Sequence, residues 1–88
     1  EIDHHVAKNL SKELDMLIEA YHVKTLVFDF QDTSFMDSSG IGVLIGRARK
    51  LYFFDGKVVA RNLGPRVEKI FNGAGLKKMI EVEKNVNE

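Results

Sequence analysis

A chain of 88 residues allows one domain, and a domain of that size buries a modest share of its surface, so its core has little to spare. Thirteen basic side chains balance 13 acidic ones for a formal net charge of +0, which argues against a nucleic-acid binder, with its basic excess, and against a polybasic membrane anchor. Cysteine is absent, so disulfides and thiolate–zinc sites are excluded, and no membrane-span or signal-peptide pattern is present, which makes a cytoplasmic protein the expectation.

The first element reads as a helix. Val6, Leu10, Leu14, Leu17, Ile18 and Tyr21 recur at spacings of three and four. Asp3 can cap its start, and Lys8, Lys12, Glu13 and Glu19 fall on the other side. Thr25 to Phe30 reads as a strand, because Leu26, Phe28 and Phe30 alternate with Thr25, Val27 and Asp29. A strand covered on both faces would be an unbroken apolar run, so one face of the sheet is expected to be better covered than the other. Gln31 to Met36 is a connector. A second helix is expected from about Ser38 to Tyr52, with a core stripe of Ile41, Leu44, Ile45, Ala48, Leu51 and Tyr52.

Asp55-Gly56 is a turn signal, and Lys57 to Arg61 is a second short strand. Gly64-Pro65 opens a third helix, where proline suits the first helical position. Val67, Ile70 and Phe71 give that helix its apolar face, and Gly73 and Gly75 end it. Met79 to Val82 reads as a last strand. Strands alternating with helices imply an α/β fold with a small, mostly parallel sheet and packed helices. Three strands are few for such a sheet and the chain opens on a helix, so a strand before Asp3 is expected outside these residues. Both ends read as cut.

In a parallel sheet the loops leaving the carboxyl ends of the strands gather along one edge. Here those segments are Asp3 to His5, Gln31 to Ser39 and Asn62 to Pro65. They carry Asp3, Asp32, Asp37, Ser38, Ser39 and Asn62 to one edge, the default recognition site. The most informative stretch is Phe35-Met36-Asp37-Ser38-Ser39-Gly40-Ile41-Gly42, where a polar loop becomes an apolar-striped helix. A serine there is exposed and sits near the positive end of the helix dipole. At about 100° per residue, Ser38, Gly42, Gly46 and Arg49 share a stripe beside the core stripe. Glycine in a helix costs roughly 1 kcal/mol relative to alanine, so two glycines four apart on one face call for a reason. Close packing of the helix on its own sheet is one reason. A smooth surface that admits a partner's backbone is the other, and the run of the stripe away from Ser38 favours it.

Other chemistry finds little support. A hydrolase needs a base and an orienter beside its nucleophile, but the histidines are His4, His5 and His22, and there is no Gly-x-Ser-x-Gly elbow. Gly40-x-Gly42 is a weak nucleotide signal, since Gly46 falls one place too late for the dinucleotide fingerprint. His4 and His5 read as helix-entry residues, one packed and one exposed, and His22 as a surface residue. Arg47 and Lys50 read as solvated helix surface. No metal or other cofactor is implied.

At these residues the chain resembles the STAS family and, within it, the bacterial anti-sigma factor antagonists, the sporulation type above all. The resemblance lies in Asp3-His4-His5, Ser34-Phe35-Met36-Asp37-Ser38-Ser39-Gly40 and Gly42-Val43-Leu44-Ile45-Gly46-Arg47. Val67, Ile70, Phe71, Gly75-Leu76 and Ile80 continue it. It implies a STAS fold, with a strand hairpin before Glu1 and a helix after Glu83 lying outside this chain. Without the hairpin a sheet edge would lie unpaired, inviting association; the residues do not fix the oligomeric state.

The resemblance further implies a non-enzymatic switch. An anti-sigma factor that is itself a serine kinase binds the unphosphorylated antagonist and releases sigma. It phosphorylates the serine after the aspartate, Ser38 here, and a PP2C-type phosphatase resets the system. The residues alone do not choose between Ser38 and Ser39; Ser39 reads as a helix-start residue bonded to backbone. The implied partner surface comprises Asp3, Asp37, Ser38, Ser39, Gly42, Gly46 and Arg49, with no part for nucleic acid or membrane. The alternative is a STAS module of a stress-signalling scaffold or of an anion transporter.

Overall fold

In the computed structural model, which describes residues 4–34 and 36–83, the chain runs through α1 (His4–Tyr21), β1 (Thr25–Asp29), α2 (Ser38–Phe53), β2 (Lys57–Arg61), α3 (Pro65–Gly73), a 3-10 turn (Leu76–Lys78) and β3 (Glu81–Val82). The strands lie in the order β1-β2-β3 and both pairings are parallel. Leu26 pairs with Val58 and Phe28 with Ala60, which in turn pairs with Val82. Side chains at paired positions point to the same side of a sheet, so these five residues form one face. That face meets Ile18 of α1, Leu44, Ala48 and Leu51 of α2, Val67 and Phe71 of α3, and Leu76 in a single core cluster. Phe30 caps the cluster, its ring edge-on to that of Phe71 at 5.7 Å.

The opposite face is mostly polar, although Val59 of the central strand is buried on it. Thr25, Val27, Asp29, Lys57 and Glu81 are exposed there, and ion pairs tie its strand ends, Lys57 to Glu81 at 3.0 Å and Arg61 to Glu83 at 2.8 Å. Surface pairs of this kind add little stability, but they keep that face wet. The expectation of one better-covered face, drawn from the alternation in β1, holds.

Helix α1 is rotated from its expected seat. Ala7 and Ile18 are buried and Ser11 and Leu14 half-buried, a stripe at 7, 11, 14 and 18. Val6, Leu17 and Tyr21, expected in the core, are exposed. The cause lies in the partner: α1 packs chiefly on α2, and small residues such as Ala7 and Ser11 let the two axes approach. The helix ends where His22 turns to a left-handed φ of 53°, and Val23 N–H reaches back to Ile18 O at 3.1 Å, a Schellman closure. In α2, Val43 is buried, whereas Tyr52, expected in the core stripe, is 79% exposed. Arg47 and Lys50 are not simply solvated. Arg47 Nε lies 3.0 Å from Asp15 Oδ1 with its side chain 11% exposed, and Lys50 reaches Asp15 and Glu19. These cations tie α2 to α1.

Candidate functional site

The carboxyl ends of β1 and β2 are joined through Asp29. Its Oδ1 accepts the Gln31 N–H at 3.0 Å and the Asn62 Nδ2–H at 3.0 Å. The Asn62 contact first and then the Gln31 amide hold the Asp29 carboxyl below the usual carboxylate range; desolvation opposes them and the charge of Arg61 adds the least. Asn62 adopts a left-handed φ of 58° to make this contact. Phe30 N–H bonds Arg61 O at 3.0 Å and Thr33 N–H closes a turn on Phe30 O at 3.0 Å. The connector therefore leaves the sheet along a defined path and re-enters the core at Met36, which is 5% exposed.

One residue later α2 begins. Asp37 is its N-cap, in extended conformation, and its Oδ1 accepts the N–H of Ser39 at 3.0 Å and of Gly40 at 3.3 Å. An acid is among the strongest N-caps, and its charge also suits the helix dipole. The cap is thus the aspartate, and the bonding to backbone that Ser39 was expected to supply comes from Asp37. Ser38 stands at the first helical position, exposed, while Ser39 is half-buried and Gly40 buried.

Beside them lies a cleft of about 370 Å³ between the two N-terminal halves of α1 and α2. Ala7, Lys8 and Ser11 form one wall; Ser38, Ser39, Gly42 and Val43 form the other. The α1 wall was missed by sequence reading; Lys8 is exposed, as expected, and lines the cleft as well. The signal that could have found it is the spacing of small residues, Ala7 and Ser11, one turn apart.

Gly42 is exposed and Gly46 half-buried. A Cβ added at either would meet nothing within 4 Å, so packing of α2 on its own sheet is not the reason for these glycines. Arg49 is exposed further along the same stripe. Asp3, expected to cap α1 and to join the site, lies outside the described residues, as does Phe35. Of the other edge residues, Asp32 is exposed and Asn62 half-buried. His5 and His22 are exposed.

A larger groove of about 560 Å³ lies at the other end of α2, where Tyr52 and Phe53 face Lys78, Met79 and Ile80. Arg49, Lys77 and Glu81 also line it, so charged groups rim its apolar floor, and the serines do not line it. Among the described residues, no group of three or more acidic or histidine side chains could hold a metal ion, and no helix is long and apolar enough to cross a membrane.

The model of the STAS-domain family matches residues 1–88. This chain belongs to the STAS-domain family. Curated relatives of this STAS domain include the anti-sigma F factor antagonist of Lysinibacillus sphaericus, 34% identical over 76 residues, 86% of this chain and 65% of that protein. Another is the anti-sigma-B factor antagonist of Listeria monocytogenes serovar 1/2a, 35% identical over 89 aligned positions, 98% of this chain and 74% of that one. The chain therefore spans just under two thirds of the first relative and about three quarters of the second. Among solved structures, the anti-sigma factor antagonist SpoIIAA in its unphosphorylated form superposes with a TM-score of 0.81 at 32% identity, covering 94% of this STAS domain and 72% of that chain. A phosphorylated form of SpoIIAA, described as a Bacillus cell fate determinant, gives 0.72 at 31% identity, with coverage of 96% and 76%. The STAS fold expected from the sequence is the fold observed.

Proposed function

We propose that this STAS domain is an anti-sigma factor antagonist switched by phosphorylation of Ser38. In its unphosphorylated form it docks on an anti-sigma factor kinase, which then releases its sigma factor. The kinase transfers the γ-phosphoryl group of ATP to Ser38 Oγ: a new P–O bond forms, the bond to the β-phosphate oxygen breaks, ADP leaves, and the hydroxyl proton passes to a base of the kinase. The phosphorylated domain dissociates, and a PP2C-type phosphatase hydrolyses the ester to reset it in the cytoplasm. The STAS domain supplies an acceptor and a surface, and catalysis belongs to its partners.

The observation that carries this reading is the placement of Ser38. It is exposed at the first position of α2, next to an aspartate whose carboxylate is already committed to the helix start, at the head of a stripe with open space where the Cβ atoms of Gly42 and Gly46 would stand. Ser39 is half-buried whereas Ser38 is exposed, which favours Ser38 as the acceptor. The docking surface is read as Asp3, Asp37, Ser38, Ser39, Gly42, Gly46 and Arg49. Names of relatives support the partner, and the two forms of SpoIIAA support the modification.

Phosphorylation adds roughly −1.5 to −2 charges at neutral pH. At the start of a helix that charge favours the helix, so the fold persists while a surface that must be desolvated on docking becomes strongly anionic. The test is incubation with the anti-sigma kinase and ATP, mass spectrometry, and titration of the partner with both forms, with Ser38→Ala as control. The expected result is one phosphate at Ser38, unchanged helical circular dichroism and weakened binding. Phosphate on Ser39, or no loss of affinity, overturns the reading.

A further inference from the structure

The dipole of α2 favours a phosphoryl group on Ser38, but the first turn of the helix carries no cationic side chain to pair with it. Asp37 already takes the Ser39 and Gly40 N–H groups and adds a negative charge of its own. The counter-charge has to come from another element. The cleft beside Ser38 has a second wall from α1, and on it stand Lys8 and Ser11. Among the described residues Lys8 is the one charged residue lining that cleft, and it makes no salt bridge. Lys50, by contrast, is held by Asp15 and Glu19. The cleft, at about 370 Å³, has room for a phosphoryl group.

We infer that the α1–α2 cleft is a phosphoryl-binding site in which Lys8 is the counter-ion of phosphorylated Ser38. This rests on the reading of Ser38 as the modified residue. The ammonium group pairs with the phosphate oxygens as a compact charge with three donors, and the Ser11 hydroxyl on the same wall can donate a further hydrogen bond. The pair ties the start of α2 to α1 and occupies part of the cleft. Phosphorylation then changes the docking face in two ways: it adds net charge and narrows a concavity.

The experiment uses the full chain with phosphoserine installed at position 38 during synthesis, so no kinase is needed. The second ionisation of the phosphate is followed by phosphorus NMR in the wild type, Lys8→Gln, Lys8→Arg and Lys12→Gln. A nearby cation favours the dianion and lowers this pKa, which is about 6 for a free phosphoserine. The expected result is a value roughly half a unit higher in Lys8→Gln than in the wild type, restored by Lys8→Arg, with the difference shrinking in about 1 M salt, where the screening length is about 3 Å. Lys12, on the same helix but not lining the cleft, should leave the titration unmoved. Identical titrations in the wild type and Lys8→Gln, or an equal shift from Lys12→Gln, overturn the inference. Failure of the kinase to modify Ser38 would overturn the proposed switch, and this titration would still report on the cleft.

Discussion

Met36 occupies the space that a side chain at Gly40 would need. A Cβ added at position 40 would stand 2.5 Å from Met36 Cγ and 3.1 Å from its Sδ, closer than real carbon atoms approach. Met36 is the buried end of the connector and Gly40 the buried third residue of α2. Between them stand only Asp37, Ser38 and Ser39. The contact therefore fixes how tightly the loop turns into the helix, and with it where the serine is presented.

Gly40→Ala should cost about 1–3 kcal/mol in overpacking, offset by roughly 1 kcal/mol of helix propensity. A net loss of about 1 kcal/mol is expected, read as a lower urea midpoint. In a Met36→Ala background, itself destabilised by about 2–5 kcal/mol through a cavity, the same change at position 40 should become neutral or stabilising. The coupling in this double-mutant cycle is the diagnostic quantity. Equal effects of Gly40→Ala in both backgrounds would show that the two residues do not compete for space.

Much of this arrangement is legible in the chain itself. The periodicities of α2, β1 and β2 place those elements within a residue of where they lie, because propensity, turn signals and burial agree there. The serine at the start of a helix and the open glycine stripe are also readable, since both depend on local geometry alone. What is not readable is rotation. Helix α1 carries apolar residues on more than one side, and which of them face inward is decided by the close approach of α2 at Ala7 and Ser11. The same approach makes Lys8, exposed as expected, also a wall of the cleft and draws Arg47 into an ion pair with Asp15. Pairings across 32 residues of sequence leave no mark in a helical wheel.

The Asp29–Asn62 contact predicts a pH dependence. A carboxyl held below its ordinary value stabilises the fold above the unfolded-state value, and that contribution is lost as pH falls through the folded-state value. Asn62→Gly removes the donor while tolerating the left-handed φ of 58°. The Asp29 resonance in a carboxyl NMR titration should then move up, towards the ordinary carboxylate range. The stability gap between wild type and variant should be full near neutrality and should narrow as the solution is acidified below that range. Glycine's greater freedom in the unfolded chain leaves a residual, pH-independent gap. An unmoved titration would mean that Asn62 does not set the Asp29 ionisation.

Gly42 and Gly46 separate the needs of the fold from those of docking. Neither glycine has an atom within 4 Å of where a Cβ would stand, and both lie inside α2 with ordinary helical backbone. Replacing either with alanine should therefore stabilise the domain by about 1 kcal/mol, an increase in Tm of about 4–8 °C for a chain of this size. If the stripe below Ser38 is where a partner's backbone comes close, the added methyl meets that backbone. A clash of about 1–3 kcal/mol would weaken the anti-sigma factor complex by about fivefold or more. Calorimetric Tm and partner titration on the same two variants decide the matter. Higher stability with weaker binding assigns the glycines to docking, since replacing a residue kept for the fold would lower the Tm. Higher stability with unchanged binding would remove Gly42 and Gly46 from the surface that reads the charge on Ser38.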